Sequence, residues 1–225
     1  MLVIITILRP LVWAACRLFF RIEFQGIENI PLSGPCVMTP NHFTYLDPVW
    51  ITIPVRRRVY YMAWDKPFRI PVLGQMMRIF CAFPVRLEGS DASAQRTAVD
   101  LLRRGKALIV FPEGGRSHTE KMMPFKMGAF RLALTHGAPI VPVTIKGGFE
   151  IWPVGRILPR PGRLRVSFHP AVRVDQAPDA APVREVKQRA RSLALEVHAI
   201  VASALDTSAI SVDSASAPVS DHVPE

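Results

Sequence analysis

The sequence predicts an α/β domain with a mostly parallel central sheet flanked by helices, preceded by an N-terminal membrane-associating helical segment. Two observations support this prediction. Between residues 21 and 203, apolar runs of strand length alternate with longer helical patterns, as is typical of α/β domains. The first 20 residues are almost wholly apolar. Because 225 residues suffice for one domain with a sizeable core, we expect a segment over 1–25, the domain over 26–205 and a disordered tail over 206–225.

The apolar N-terminal segment is interrupted by Arg9, Pro10 and Arg17. A helix that spans a bilayer needs about 20 predominantly apolar residues, and an Arg at its centre costs about 2.5–3.5 kcal/mol. The segment also lacks the basic start of a secretory signal peptide. Because Trp13 and Phe19 lie beside arginines, the pattern favours a helix lying at the level of the lipid headgroups. A helix packed in the domain core is the alternative.

The elements of the domain follow from apolar runs and from the residues that end them. Gly105 and Gly137 end two of the helices, since glycine is common directly after a helix. The run over 37–38 leads into a loop, and strands are expected over 59–63, 80–85, 107–111, 140–145 and 163–168. Helices are expected over 47–55, 92–104, 126–136 and 181–204, the last with Val186, Leu193, Val197 and Ile200 towards the core.

Charge and composition narrow the classes of function. A formal net charge of +10 indicates a surface that attracts anions. An apolar share of 49% with 20% charged residues is high for a nucleic-acid-binding protein and ordinary for a protein that sits on a bilayer. A non-catalytic basic module, binding nucleic acid or membrane through Arg56, Arg57 and Arg58, is the alternative of a different class. After Asp206 the chain has no Lys or Arg and many Ser, Ala and Pro residues, which is typical of disorder.

The three cysteines, Cys16, Cys36 and Cys81, are widely spaced and form no C-x-x-C or Cys/His cluster. This spacing argues against a disulfide framework and against a zinc site. We expect each of them to be a small buried thiol in a reducing compartment. We expect no metal site and no cofactor.

His42 and Asp47 are the first candidates for chemistry. A general base needs a pKa near neutrality, and imidazole offers one. Five positions on one regular helix are about 140° apart, so the two side chains converge only if His42 precedes a helix and Asp47 lies in its opening turn. Pro48 supports this arrangement, because proline is tolerated in a first helical turn. The carboxylate would then hold one ring nitrogen and raise the basicity of the other.

A second candidate site is the run Glu113-Gly114-Gly115-Arg116-Ser117. Adjacent glycines allow backbone N–H groups to turn towards an anion, and Arg116 offers a bidentate fork to phosphate. Glu113 can accept a hydrogen bond from a polyol hydroxyl or hold the Arg116 fork. The run is neither a Walker loop nor a nucleophile elbow. It therefore predicts a phosphate-binding loop of another kind, with Arg86 and Lys126 as further anion ligands.

These residues follow predicted strands. In open α/β sheets, binding sites gather at the carboxyl ends of the strands. His42, Arg86 and Glu113 each come just after an apolar run. We therefore expect them at one edge of the sheet.

The same residues resemble the conserved blocks of the 1-acylglycerol-3-phosphate acyltransferase family, in the family's order. Asn41-His42 with Asp47 is similar to the block N-H-x-x-x-x-D, and Phe83 with Arg86 to F-x-x-R, although Phe80 stands where the family has Gly. The block E-G-T-R-S is matched by Glu113, Gly114, Arg116 and Ser117, with Gly115 in place of Thr. The fourth block is matched by Val141-Pro142-Val143.

The resemblance implies an acyltransferase, in which His42 is the base, Asp47 orients it, and the remaining block residues bind substrate. The implied acyl donor is acyl-CoA or acyl-carrier protein, and the implied acceptor is a lysophospholipid, 1-acylglycerol-3-phosphate above all. Other lysolipid acceptors, such as lyso-ornithine lipid or lysophosphatidylcholine, and a phospholipid–lysophospholipid transacylase are alternatives. The resemblance also implies work at the cytoplasmic face of a membrane, with no nucleic acid as partner.

Overall fold

The protein is built around a seven-stranded sheet. A computed structural model describes residues 13–14, 16–86, 91–178 and 180–206, and the structural statements below refer to these residues. The strand order is β1-β7-β6-β2-β5-β3-β4, and the five strands from β6 to β4 run parallel. The strands are β1 (Glu23–Gln25), β2 (Cys36–Pro40), β3 (Val59–Trp64), β4 (Ala82–Val85), β5 (Ala107–Ile109), β6 (Ile140–Lys146) and β7 (Arg165–Phe168).

The sheet is mostly parallel, which confirms the predicted fold class. Strand β7 runs antiparallel to β6, and β1 pairs parallel to β7. Two short 3-10 turns, Ile27–Asn29 and Lys66–Arg69, follow β1 and β3. The helices are α1 (Asp47–Thr52), α2 (Pro71–Ile79), α3 (Ala92–Arg103), α4 (Gly128–His136), α5 (Gly148–Ile151) and α6 (Val183–Asp206).

The helices form one layer on each face of the sheet. Successive side chains of a strand point to opposite faces, and β2 shows this clearly: Cys36 and Met38 pack into one core cluster, and Val37 packs into the other. The first helix layer contains α1, α2, α5 and the helical residues 16–20. The second helix layer contains α3, α4 and α6. The predicted core face of α6 is confirmed, since Val197 is buried and the other three residues pack against the same cluster or are half-buried.

Several predicted boundaries differ from the structure. The strand predicted over 80–85 begins at Ala82, because Phe80 is the C-cap of α2, a helix that the sequence pattern did not predict. The helix predicted from Lys126 begins at Gly128, and the helix predicted over 47–55 ends at Thr52. The strand predicted from 163 begins at Arg165.

Part of the N-terminal segment packs with the domain. Cys16 and Ile22 lie in the core, and the ring of Phe20 contacts that of Trp50 edge to face, with centroids 5.7 Å apart. Strand β1 also belongs to the sheet, so residues on the N-terminal side of the predicted boundary at 25 complete the domain. Residues 1–12 and 207–225 lie outside the described residues; of the tail predicted over 206–225, only Asp206 is described, and it ends α6. Within the described part of the chain, no helix has the length and apolar character needed to cross a bilayer.

The cysteines are free thiols. Cys16 and Cys36 are buried as expected, and burial raises the pKa of the Cys36 thiol to about 11. Cys81 is only half-buried, which corrects the expectation for that residue. It occupies a left-handed backbone conformation, with φ of 66°, in the turn between α2 and β4. None of the three lies at the edge of the sheet that carries His42.

Candidate active site

The loop that carries His42 leaves the sheet at the carboxyl end of β2. Asn41 fixes this exit point: its side-chain amide donates to the carbonyl oxygen of Ile145 at 2.9 Å and accepts from the N–H of Ile145 at 2.7 Å. Asn41 is fully buried. Its side chain thus continues the pairing between β2 and β6 after Pro40, while the main chain is free to turn. The next residue, His42, is thereby placed above the sheet edge.

His42 and Asp47 form a hydrogen-bonded pair, with 2.8 Å between Nδ1 and Oδ2. The carboxylate of Asp47 also accepts from the backbone N–H groups of Phe43 and Thr44, at 2.7 and 2.9 Å, and from the Thr44 hydroxyl at 2.6 Å. Asp47 lies in the first turn of α1 and is fully buried. The loop therefore wraps around the carboxylate, and this places it beside the imidazole as the spacing predicted.

The second ring nitrogen of His42 is available for proton transfer. The ring stacks on Phe111, with centroids 3.9 Å apart, and the side chain is 17% exposed. Nδ1 is engaged with Asp47, and no side chain or backbone group in the described ranges bonds Nε2. A ring fixed on one side by a carboxylate and on one face by a phenyl group has a defined direction for Nε2. This is the geometry required of a general base.

The carboxylate of Glu113 links its own loop segment to the segments that carry His42 and Met123. Its two carboxylate oxygens accept from the backbone N–H of His42 at 2.7 Å and of Met123 at 2.8 Å. The N–H of Ser117 donates to the carbonyl oxygen of His42 at 2.9 Å, so the two loops are linked in both directions. Burial raises the pKa of Glu113 to about 7, against the effect of its two N–H donors, and the charge of Asp47 adds to the rise. Glu113 is 3% exposed, so its carboxylate is occupied within the protein.

Arg116 does not pair with Glu113; its guanidinium lies over the ring of Tyr45, 3.5 Å from the centroid. The Tyr45 ring in turn contacts Trp152 edge to face, with centroids 5.8 Å apart. Tyr45 is exposed, so this aromatic support is at the surface of the site. The stacked guanidinium keeps its N–H edges free for an anion, since stacking engages only its face.

Gly114 brings the chain close to Lys126. It has a φ of 74°, and a Cβ at this position would collide with the Nζ of Lys126. The backbone N–H of Lys126 donates to the carbonyl oxygen of Pro112 at 2.8 Å, which keeps the lysine beside the loop. Ser117 is buried, and its hydroxyl donates to the carbonyl oxygen of Lys121 at 2.7 Å. The loop between β5 and α4 thus carries two cations, Arg116 and Lys126. The Ser117 hydroxyl closes a turn within the same loop.

Arg86 lies at the same edge of the sheet as His42 and Glu113, as expected, but further along it. It follows β4, which is two strands and therefore about 10 Å from β5. Its Nε is 3.5 Å from the carboxylate of Asp91, and its side chain is 67% exposed. The backbone N–H of Arg86 also donates to Asp91, which lowers the pKa of that carboxyl group. Its assignment to substrate binding stays a prediction.

Sequence reasoning missed several supporting residues. Thr44, which holds Asp47, lies inside the N-H-x-x-x-x-D block, so its position next to the carboxylate was available as a signal. Tyr45, Phe111 and Trp152 carried no signal, because their roles depend on ring contacts between residues far apart in the chain. The described ranges contain no group of three or more His, Cys, Asp or Glu residues arranged to hold a metal ion.

Comparison with known proteins agrees with this arrangement. The sequence model of the Acyltransferase family matches residues 21–146, which contain the dyad and the glycine-rich loop. The chain belongs to the Acyltransferase family. The resemblance predicted from the motif blocks is thereby confirmed.

The relatives of this chain carry more specific names. It is 32% identical over 148 residues to the chloroplastic 1-acyl-sn-glycerol-3-phosphate acyltransferase of Brassica napus, covering 64% of this chain and 43% of the relative. A chloroplastic enzyme of the same name from Arabidopsis thaliana is 30% identical over 172 residues, covering 73% and 48%. The chain therefore spans about half the length of these curated relatives.

A solved structure shares the fold of this chain. The 1-acyl-sn-glycerophosphate acyltransferase PlsC of Thermotoga maritima superposes with a TM-score of 0.66 at 26% identity, covering 82% of this chain and 70% of that protein. The α/β architecture and the mostly parallel sheet are thus shared with a protein of that name. The roles of the individual site residues stay predictions.

Proposed function

We propose that this acyltransferase moves a fatty acyl group from acyl-CoA or acyl-carrier protein to the free hydroxyl of a lysophospholipid, and that 1-acylglycerol-3-phosphate is the acceptor. The product is then phosphatidic acid. The observation that carries the proposal is the His42–Asp47 pair, with Nδ1 engaged at 2.8 Å and Nε2 open. The names of the relatives support the choice of acceptor.

The pair acts on the acceptor hydroxyl. Nε2 of His42 takes the proton as the hydroxyl oxygen forms a bond to the thioester carbonyl carbon, and Asp47 stabilises the imidazolium that results. The tetrahedral intermediate then collapses, the carbon–sulfur bond breaks, and the thiolate leaves with the electron pair. The imidazolium returns its proton to this thiolate. No covalent acyl-enzyme is required, and none of the cysteines lies at the dyad.

The acceptor phosphate is placed by the glycine-rich loop. Arg116, supported by Tyr45, offers its guanidinium edge, and Lys126 lies against Gly114 in the same loop. Two cations on one loop suit a phosphate monoester better than a zwitterionic headgroup. In this proposal Glu113 shapes the loop rather than touching the acceptor, because its oxygens bond His42 and Met123.

The test is release of thiol from acyl-CoA in the presence of 1-acylglycerol-3-phosphate. His42→Ala should lower kcat at least about 100-fold, the lower range for loss of a general base. His198→Ala is the matched control, because this histidine packs against Phe125 in the second helix layer. Turnover of the His42 variant close to that of the parent and the control would refute the assigned base.

A panel of acceptors tests the second half of the proposal. Thiol release should be fastest with 1-acylglycerol-3-phosphate and slower with lysophosphatidylcholine or lyso-ornithine lipid at equal concentration. A faster reaction with either of the latter would replace the proposed acceptor while leaving the acyl transfer in place.

A further inference from the structure

Helix α2 presents apolar side chains to solvent. Ile70 and Met76 are exposed, and Val72 is 75% exposed. A surface helix normally buries its apolar stripe and turns polar residues outwards. Helix α2 instead approaches the domain through Gly74, whose Cα lies so close to the carbonyl oxygen of Phe68 that a Cβ has no room. Its outward side is therefore apolar and uncovered by any described residue.

Two other segments of the first helix layer are also apolar on the outside. Leu18 and Phe19 are exposed at the end of the N-terminal helical residues. Ile157, at 88% exposure, and Leu158 are exposed in the loop that follows α5. The backbone N–H of Gly162 donates to the carbonyl oxygen of Phe19 at 3.3 Å, so the loop and the helical residues lie side by side.

The second helix layer is different. Among the large apolar residues of α3, α4 and α6 that the structure describes, only Val183 and Leu195 are exposed, and they are 12 positions apart on one helix. Scattered apolar residues of this kind are normal on a protein surface, whereas clustered ones mark a contact with a partner or a membrane. Among the described helices and the loop after α5, the exposed large apolar residues are thus concentrated in the first helix layer.

Cations lie around the apolar residues of the first layer. The Nζ of Lys66 is 4.8 Å from the centre of the Trp64 ring, and the guanidinium of Arg78 is 5.3 Å from that of Phe68. Arg156 directly precedes the two exposed residues of the loop. Long cationic side chains beside apolar and aromatic ones suit a surface of anionic lipid, which satisfies both groups at once.

We propose that this side of the protein lies on an anionic lipid bilayer, with α2 and the loop after α5 inserted at the headgroup boundary. Helix α1 belongs to the same layer and begins at Asp47, so the dyad lies on the same side of the sheet as this surface. The inference deepens the proposed function by adding contacts outside the N-terminal segment, and it is tested without turnover. We call the surface the apolar face; it comprises Leu18, Phe19, Ile70, Val72, Leu73, Met76, Ile157 and Leu158.

The test is co-sedimentation of the full chain with vesicles of phosphatidylcholine, alone or mixed with phosphatidylglycerol. The double substitutions V72S/M76S on α2 and I157S/L158S in the loop should each weaken binding to the mixed vesicles at least about tenfold. L195S, which removes an exposed leucine from the second helix layer, should change binding less than about twofold. Thermal unfolding followed by circular dichroism checks that the variants are folded, as expected for exposed positions.

Three results would overturn the proposal. The first is binding of both double variants at the level of L195S, and the second is a loss in only one of them, since the two elements then share no surface. The third is unchanged vesicle binding together with loss of a soluble dimer or of binding to acyl-carrier protein, which would assign the apolar face to a protein partner. If the variants change vesicle binding as expected but the parent protein releases no thiol from acyl-CoA, the proposed reaction is wrong. The proposal that the apolar face binds lipid is then still supported.

Discussion

At the scale of single residues, the least expected contact is the one between Arg116 and Tyr45. A guanidinium that ends a flexible side chain loses conformational entropy when it grips a phosphate, and stacking on a fixed ring reduces that loss before the ligand arrives. Trp152 also contacts the Tyr45 ring, edge to face. The contact with Tyr45 therefore orients the guanidinium of Arg116 before the ligand binds.

Replacement of Tyr45 tests this preparation. Tyr45→Ala should raise the KM for the lysolipid acceptor about fivefold, corresponding to ~1 kcal/mol for a cation–π contact, with a smaller effect on the KM for acyl-CoA. Tyr45→Phe keeps the ring and should behave like the parent. Steady-state kinetics with each substrate varied in turn provide the measurement. If the Ala and Phe variants show equal acceptor KM values, the ring does not position Arg116.

The raised pKa of Glu113 predicts that the stability of the protein depends on pH. Its pKa is raised to about 7 by burial, above the ordinary glutamate value near 4.5. The folded protein therefore binds a proton that the unfolded chain has released between about pH 4.5 and 7. The contribution of protonated Glu113 to the free energy of unfolding is fully present below about pH 4.5 and is lost as the pH rises towards 7. The free energy of unfolding should fall through this window by at most about 1.4 kcal/mol per pH unit from this group.

Urea unfolding at a series of pH values measures this slope. Glu113→Gln preserves the size of the side chain but cannot titrate, so its unfolding free energy should lack the Glu113 part of the slope. The unfolding free energy of the parent minus that of the variant should therefore decrease as the pH rises from about 4.5 to 7. Parallel profiles for the two proteins would mean that Glu113 has an ordinary pKa in the folded state.

At the scale of elements, α2 depends on a close backbone approach. Gly74→Ala places a Cβ against the carbonyl oxygen of Phe68, and because that atom is backbone, either α2 or the Lys66–Arg69 turn must move. We expect a loss of about 1–3 kcal/mol in the free energy of unfolding, the usual range for overpacking, and faster hydrogen exchange in α2.

A matched substitution exists in α4. Gly128→Ala also introduces a methyl group into a helix, but nothing lies within 4 Å of the added atom. It should be neutral or slightly stabilising, because alanine favours helices over glycine. Denaturant unfolding of both variants compares them directly. Equal stability of the two would show that α2 does not need the close approach.

The same helix shows where sequence patterns fail. Helix α3 and helix α4 were predictable, because their apolar residues recur on one side and Gly105 and Gly137 follow them. Helix α2 was missed although its apolar residues also recur on one side. That side faces mainly solvent, so the pattern does not report which side packs on the core. Strand β1 has only three residues and cannot establish an alternation.

At the scale of the whole molecule, the predictable part of the site is the part that depends on local spacing. His42 and Asp47 are five residues apart, and the helix start at Asp47 determines how they meet. The convergence of β2 and β5 at one edge follows from the rule for parallel strands. The same rule places Arg86 at that edge, but its separation from β5 was not predictable, because it depends on the strand order, which puts β3 between β5 and β4.

The roles of Glu113 and Trp152 were beyond the sequence for a different reason. One carboxylate oxygen of Glu113 accepts a hydrogen bond from the backbone N–H of Met123, in a later part of the same loop. The ring of Trp152, which follows α5, contacts that of Tyr45, which precedes α1. Such contacts are set by tertiary packing, which no local pattern encodes. The reversal of β7 and β1 is of the same kind, since the direction of each strand depends on pairing with residues far away in the chain.

That reversal has a consequence for protein synthesis. Strand β1 pairs with β7 and with no other described strand, and their paired residues are 142 positions apart in the chain. A ribosome adds about 5–20 residues per second, so β1 waits roughly 7 to 28 s for its partner. During that wait the core that will receive Cys16 and Ile22 is incomplete. The residues before β1 are therefore synthesised well before the sheet that covers Cys16 and Ile22 is complete. On the prediction that this segment associates with membranes, that interval is the time in which it meets a lipid surface without competition from the finished sheet.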